Sequence, residues 1–525
     1  METPSGKALI KKIFVGLGAL AILLLILSIA LYSQKNKLIQ ASLNELNTTL
    51  TGKVVIEEAV LSPFAQFPYI SIDLKKLEIH ETKEITSDTV LFIEDAYVGL
   101  DLLAILQGNY EIKKIKLENG FLRVVQFEDG SFNASNAFLS TDSAATEESE
   151  SSEALNFQLD KLDLVNIDLL KINQSSKITV EAFIEKATAG FKSTQGHIEA
   201  SLNSQFIFNL INDQDTSFLH DKHVMLSTSL DFDTKEELLN LDTSRLIIEK
   251  AEFFMVGAID IANNFALDLD FGGRKPNFDL FLAFAPPELE PVLNRYSNGG
   301  NVFFDASVDG PSINGYSPSV AIKFGCKEAF VKNTIVEKEV NELYFEGYFT
   351  NGEERNATSS RLVIEDFRAR PETGRFEADL IVENFESPDI NMQVDADFNL
   401  DFLTSFFNLD MIENTSGKIA LQMNFHDIID LDDPSKAIER LNESYFTTLS
   451  VQDLSFTSPD FHLPFTNINL EAVMDGHKAN ISTFEAKVGN SDLSLSASIS
   501  DLPAIIHHTD LPVTVDMRLK SSLLD

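Results

Sequence analysis

Three D-x-D pairs, Asp231/Asp233, Asp268/Asp270 and Asp395/Asp397, are the residues whose type and spacing could do chemistry. Residues two apart on an extended chain point the same way, so each pair sets two carboxylates on one strand face. Paired acids can hold a divalent cation or share the acid and base roles of glycoside hydrolysis. His220 and His223 offer two imidazoles in a polar loop with no third ligand in register, and His507-His508 stand beside Asp510 between Pro503 and Pro512. A turn with exposed histidines accounts better for the latter. Cys326 is the only cysteine, which excludes an intrachain disulfide and any Cys-rich metal site. It reads as a small apolar filler. No nucleophile elbow, P-loop, H-E-x-x-H or strand-linked dinucleotide fingerprint occurs. With 81 acidic residues in the chain, carboxylate pairs arise by chance, and on alternating strands they fall on the solvated face. The expectation is no enzyme, no metal and no cofactor.

The elements that would position such residues are read from composition and periodicity. The chain has 525 residues, 41 Lys+Arg against 81 Asp+Glu, and a formal charge of −40. That excess repels phosphate backbones and no basic cluster offsets it, so nucleic acid is excluded as a partner. An apolar fraction of 44% is that of a globular chain. Of the aromatics, 41 are Phe and none is Trp, an excess of rings without a polar atom.

Residues 13–34 carry no charge and, as a helix, span a hydrocarbon core of roughly 30 Å. Lys7, Lys11 and Lys12 precede them against Glu2, while Lys35 and Lys37 follow, which favours a cytoplasmic tail at 1–12 and a bulk outside the cytoplasm. A cleaved signal peptide ending near Ser28-Ile29-Ala30 is the competing reading, disfavoured by the length of the run. Leu38, Ile39, Leu43, Leu46 and Leu50 then mark an amphipathic helix ended by Gly52.

Beyond it strict alternation dominates, the pattern of strands with one wet and one dry face. Ile70, Ile72 and Leu74 alternate in this way, as do Phe265, Leu267, Leu269 and Phe271, then Phe278, Leu280, Leu282 and Phe284, and Ile419, Leu421, Met423 and Phe425. Asn119-Gly120, Asp129-Gly130, Gly272-Gly273, Asn298-Gly299-Gly300, Asn351-Gly352 and Asp475-Gly476 read as turns. Helical interruptions are expected at 99–107, 286–297 and from Pro434, and the acidic stretch 140–153 as a solvated, disordered linker. Asn264-Phe265 to Pro276, a helix-like stretch and Gly300 are echoed by Asn384-Phe385 to Pro388, a helix-like stretch and Gly417. A shorter echo joins 115–119 to 162–166. Repetition implies a stack that grows by adding strands.

The arrangement of the first 138 or so residues resembles a known family. A membrane helix, a helix ending at Gly52, the strand Val54-Val55-Ile56, Ser62-Pro63-Phe64 to Phe67-Pro68, Val98-Gly99 to Gly108-Asn109-Tyr110, and Phe127 to Asn133 look like the N-terminal module of the AsmA family of Gram-negative envelope proteins. Residues 451–459 and 489–495 resemble that family's C-terminal region. The module covers 35–139, and 154–525 resembles the rest more loosely. Family members are similar to TamB and to chorein-type bridge-like lipid-transfer proteins. What the resemblance implies is a mainly β fold, an elongated curved antiparallel sheet with few short helices, anchored in the bacterial inner membrane with its bulk in the periplasm. Its groove would conduct phospholipid between inner and outer membranes in support of outer-membrane biogenesis. Ile70, Ile72, Leu74, Phe265, Leu267, Leu269, Phe278, Leu280, Leu282, Phe284, Ile419, Leu421, Met423 and Phe425 would line it.

Roughly 33 strands after residue 50, at about 4.8 Å each, would extend such a groove to roughly 160 Å. Two closed β-sandwich domains want the same dry face and remain a competing fold. A membrane-anchored scaffold for outer-membrane proteins, without lipid cargo, is the competing function. The chain stops after the alternating strand that ends near Lys520, which reads as a short member or, by preference, a fragment of a longer protein.

Overall fold

The computed structural model describes residues 47–523 apart from 49, 63–68, 85–87, 102–103, 105–110, 130, 139–157, 176, 213–214, 217–218, 314, 410–411, 429–444, 460 and 503–511. The apolar stretch 13–34, most of the amphipathic segment and of 99–107, the acidic stretch 140–153, the expected helix from Pro434 and the His507-His508 pair lie outside the described residues. Strand accounts for 71% of the structure, so the class is mainly β. Two units divide at residue 249.

The first unit holds β1 (Lys53–Ser62), β2 (Ile70–His80), β3 (Thr89–Leu100), β4 (Ile112–Gln126), β5 (Gln158–Asn173), β6 (Ile178–Thr194), β7 (His197–Asn212), the short β8 (Asp215–Thr216), β9 (Lys222–Asp233) and β10 (Leu238–Ile248). Neighbours in sequence pair antiparallel, β7 pairing with both β8 and β9. One junction departs from the expected antiparallel sheet: β4 and β5 run parallel. A parallel pair needs a crossover, and the long connection between them, which carries the helix α1 (Asn133–Phe138), supplies it. The short echo in the sequence is this pair. Ile115 lies beside Leu162 and Leu117 beside Leu164, and Asn166 donates to the Asn119 side chain at 3.1 Å.

The second unit is a meander in which each strand pairs with the next: β11 (Ala251–Asp260), β12 (Ala266–Lys275), β13 (Tyr296–Gly310), β14 (Ser319–Asn333), β15 (Lys338–Thr350), β16 (Arg361–Pro371), β17 (Gly374–Glu383), β18 (Asp389–Asn399), β19 (Glu413–Ile428), β20 (Tyr445–Ser458), β21 (Phe461–Asp475), β22 (Lys478–Val488), β23 (Ser491–Ile499) and β24 (Val515–Lys520). Two helical insertions interrupt it. The first carries α2 (Asp279–Leu282), a 3-10 turn (Pro287–Leu289) and α3 (Glu290–Leu293); the second carries α4 (Leu400–Phe407). The described strands number 24 rather than 33 because many run to 14–17 residues.

The long strands stay one-faced through β-bulges. In β14 the apolar run Ile322, Phe324, Cys326 resumes at Ala329 and Val331, and in β20 Leu449 and Val451 resume at Leu454 and Phe456. Each slip carries a residue with positive φ, Glu328 at 52° and Asp453 at 49°; Glu342, Asp366 and Asn467 do the same in β15, β16 and β21, while Lys76, Asn119 and Asn166 adopt this conformation where the ladders of β2, β4 and β5 keep their register. An extra residue in one strand shifts the side-chain phase by one and so returns the apolar set to its own face. All of these residues are polar, as fits a position turned toward water in a conformation that suits Asn and Asp best.

Three expected turns prove to be strand interior. Asn119-Gly120 lies within β4, Gly272-Gly273 within β12 and Asn298-Gly299-Gly300 within β13, whereas Asn351-Gly352 and Asp475-Gly476 do mark reversals. Glycine serves close approach there: a Cβ on Gly120 would sit 2.1 Å from the Phe92 carbonyl oxygen, and one on Gly273 2.7 Å from Leu280 Cδ2. The larger repeat holds in part. Gly300 and Gly417 each stand fifth in the strand after an insertion, and Asn264-Phe265 and Asn384-Phe385 each precede the strand before it. The offsets, 417−300 = 117 and 384−264 = 120, correspond to six strands. Pro276 and Pro388 are not equivalent, since one follows β12 and the other precedes β18.

Deleting Asp453 should move Leu454 and Phe456 onto the wet face and cost more than about 3 kcal/mol. Asp453→Gly keeps the residue count and should stay within about 1 kcal/mol of the parent. Equilibrium urea unfolding of both variants checks this.

Candidate functional site

The ladders align the apolar positions into rows that cross the sheet. In the second unit one row runs Ala396, Leu421, Leu449, Ala472, Ile481, Ala497, Met517 from β18 to β24. Along β19, Ile419, Leu421, Met423 and Phe425 are part-exposed, while Lys418, Ala420, Gln422, Asn424 and His426 between them are exposed. The four expected residues therefore share one face. At the last strand, Val515, Met517 and Leu519 are 50–53% exposed on it. A face of this kind is dry in character without being sealed.

Ile70, Ile72 and Leu74 also share a face, Ile72 continuing through Val98, Ile115, Leu162 and Ala189. In this unit it is better covered: Ile70 is 3% exposed, and Ile93, Ala96 and Ile167 form a buried cluster against Leu74 and Leu117. Ala137 of α1 packs on Val54, Ile79 and Val90.

Four expected lining residues are corrected. Phe278, Leu280, Leu282 and Phe284 belong to the first helical insertion, not to a strand. Their stretch is apolar at almost every position, so it fits helical and extended periods alike. What decides is the frame: the Asn298 side chain accepts the Phe278 N–H at 2.9 Å, and Pro286 ends the run. Leu280 is fully buried against the sheet, and Phe281 and Phe284 lay their rings on it: Phe281 is 5.9 Å from both Phe324 and Phe345, Phe284 6.0 Å from Phe253 and Phe304. Leu267 and Leu269 are on β12 as expected, part-buried between β11 and β13. Phe265 is a turn residue with φ 49°, 40% exposed, whose carbonyl accepts the Ser312 hydroxyl.

The alternation missed an aromatic path. Phe345, Phe367 and Phe376 succeed one another from β15 to β17 with centroids 6.0 and 5.7 Å apart. Each lies beyond a bulge or between one and a strand end, so a fixed period of two loses them. In the second insertion Leu400, Phe402 and Phe406 of α4 are buried, and the Phe406 carbonyl accepts from the Tyr296 hydroxyl at 2.7 Å and the Asn333 amide at 2.9 Å.

The opposite face carries the charges. Arg375 bridges Asp395 and Asp397 at 2.9 and 3.3 Å, and His197 lies 3.3 and 3.8 Å from Asp231 and Asp233. Asp268 and Asp270 are exposed opposite Asp309 and Ser307. His220 pairs with Asp221, while the His223 backbone donates to Glu249. Among the described residues no three His, Cys, Asp or Glu side chains converge to hold a metal ion. Nor is any described helix long and apolar enough to cross a membrane. No family model, curated protein or solved structure matches the chain.

Cys326 is buried, and burial pushes its thiol up to about 11. It should resist alkylation at pH 8 in the native protein and react on unfolding, as mass spectrometry of iodoacetamide-treated samples would show. For Asp163, burial alone would raise the carboxyl, but hydrogen bonds from Lys161 and Thr188 and the charges of Lys161 and Lys114 hold it below its ordinary value. A depressed folded value contributes stability above the unfolded pKa of about 3.9 that is lost as pH falls through the folded one. Asp163→Asn should therefore be less stable at neutral pH and show a shallower decline below about pH 4 in urea midpoints.

Proposed function

We propose that the protein is an inner-membrane-anchored, periplasmic member of an AsmA-like class whose apolar sheet face forms a curved groove and conducts phospholipid between two membranes. Residues 13–34 serve as the anchor. The observation that carries this reading is the continuous apolar face of β19–β24, whose larger side chains are part-exposed or exposed. Such a surface left in water costs about 25 cal/mol per Å². Acyl chains cover it without demanding hydrogen bonds, and the lining of Leu, Ile, Ala, Val, Met and Phe asks for none in return.

The reading also draws support from what the second unit contains. Its described strands form one succession of ladders, so no second sheet is paired off to make a sandwich. Among the described residues of β19–β24, no ion pair lies on the apolar rows to fix a headgroup at one place. Movement along these rows is therefore sliding, acyl chains inside and headgroups beyond the strand ends, with energy supplied elsewhere. The D-x-D pairs are tied to Arg375 and His197 or solvated, which favours binding over catalysis.

Photo-crosslinking in the full chain tests the proposal. A photoreactive residue at Leu421 or Met423 should capture phospholipid, seen as a mass adduct, and one at Gln422 should not. Leu421→Asp should abolish transfer between vesicles, while Gln422→Ala, Asp231→Asn and Asp395→Asn retain it. Absence of any adduct at Leu421 would sink the lipid reading in favour of a scaffold, and loss of function in a folded Asp395→Asn variant would overturn the non-enzyme reading.

A further inference from the structure

The two helical insertions of the second unit end side by side at one edge of its sheet. Thr334 donates from its backbone N–H and its hydroxyl to the Arg295 carbonyl at 2.9 and 3.0 Å, joining the turn between β14 and β15 to the end of the first insertion. Asn333 and Tyr296 donate to the Phe406 carbonyl, joining both to the end of α4. Three connections are thereby held together, and each shows large apolar side chains to solvent. Leu289 and Val292 are 47% and 44% exposed, Ile335 and Val336 69% and 37%, Phe407 and Leu409 56% and 42%.

Together these six side chains present on the order of 500 Å² of apolar surface around one junction, within the roughly 300–600 Å² of a monomer's largest patch, which is often functional. They sit on connections, not on the strand rows, so cargo on the apolar face would leave them uncovered. Neither the 3-10 turn nor α3 has a buried residue, and Pro286, Pro287 and Pro291 stiffen both. The patch is thus exposed yet preorganised, which lowers the ordering cost of binding.

Its surroundings are acidic. Glu288 and Glu290 flank Leu289 and are exposed. Lys332 is paired with Glu337, and Lys338 lies 3.0 Å from Glu372 and 3.9 Å from Asp401. Lys332 and Lys338 are thus occupied, and part-exposed Arg295 at the junction is one positive charge beside Glu288 and Glu290 on a chain that carries −40 overall. An acidic partner or an anionic lipid surface would be repelled.

We propose that this patch docks a protein segment that is apolar on one side and basic at its flanks. The apolar side covers Leu289, Val292, Ile335 and Phe407, and the basic flanks meet Glu288 and Glu290.

Because the chain has no tryptophan, Ile335→Trp gives a single fluorescent reporter in the full chain held in zwitterionic nanodiscs. Titration with a short amphipathic helix of leucine and lysine should give a saturable blue shift. Adding Leu289→Ser, Val292→Ser and Phe407→Ser should weaken binding about tenfold or more, with an unchanged melting profile showing that the fold is intact. Glu288→Lys with Glu290→Lys should weaken it several-fold and flatten its salt dependence. An equal response from Tyr316→Trp at the opposite edge, or from a leucine and glutamate peptide, would overturn the proposal. So would a lack of response, quenching of the reporter by brominated lipid alone, or its burial by self-association without peptide. None of these readouts depends on lipid cargo at Leu421.

Discussion

Everything in this structure depends on keeping one side of each strand apolar over lengths that an alternating pattern alone cannot sustain. Strands of 14–17 residues twist, and a single slip in pairing would carry every side chain beyond it to the wrong face. The polar residues in left-handed conformation at Glu328, Glu342, Asp366, Asp453 and Asn467 take up that slip. Each costs about 1–2 kcal/mol of backbone strain. They persist because the alternative is to expose several Leu, Ile or Phe side chains at once, a larger penalty.

One-facedness divides the work of the side chains. On the polar face, charges meet in small groups such as Lys114, Lys161 and Asp163 or Arg375 with its two aspartates, and these fix register more than they add stability. On the apolar face the covering differs along the second unit. Where the insertions lie, Leu280, Phe402 and Phe406 are sealed and the Phe rings make a packed layer. α4 also touches β19, but from β20 to β24 no helix among the described residues packs closely on the sheet, and the larger apolar side chains there, Leu449, Ile481, Phe484 and Met517, are part-exposed or exposed. Among the described residues, one stretch of the dry surface is covered by phenylalanines of the insertions and another keeps its larger side chains part-exposed. That contrast explains the Phe excess better than lining alone: many rings serve to close the sheet, not to line it.

The class of the fold was legible from alternation, and β19 shows why: Ile419 to Phe425 keep one phase with no bulge among them, and the structure returns the same face. Phe278 to Phe284 fails for the opposite reason. Nearly every residue there is apolar, so periodicity carries no information, and only tertiary partners such as Asn298 and the Gly273 gap select the helix. The parallel β4–β5 junction was present in the sequence as a repeat, Ile115 to Asn119 against Leu162 to Asn166. A repeat alone does not say whether its copies lie side by side. Glycine pairs misled because a dipeptide such as Asn119-Gly120 suits a left-handed residue and a close backbone approach inside a strand as well as a reversal, and only the length of apolar pattern on either side separates the two.

The six-strand spacing of the insertions bears on how such a sheet is built. β12, insertion, β13 and β18, insertion, β19 share a left-handed asparagine before the first strand and a positive-φ glycine fifth in the second. A meander pairs each strand only with its neighbours, so adding or removing an even number of strands leaves both faces and both edges unchanged. An odd number would send the following connections to the other edge. A six-strand unit meets that parity rule and brings its insertion back to the same edge, which is why the turn between β14 and β15 and the ends of both insertions can meet there at all. Strand parity thus brings Arg295, Thr334 and Phe406 to one edge, and the hydrogen bonds to the Arg295 and Phe406 carbonyls then join them there.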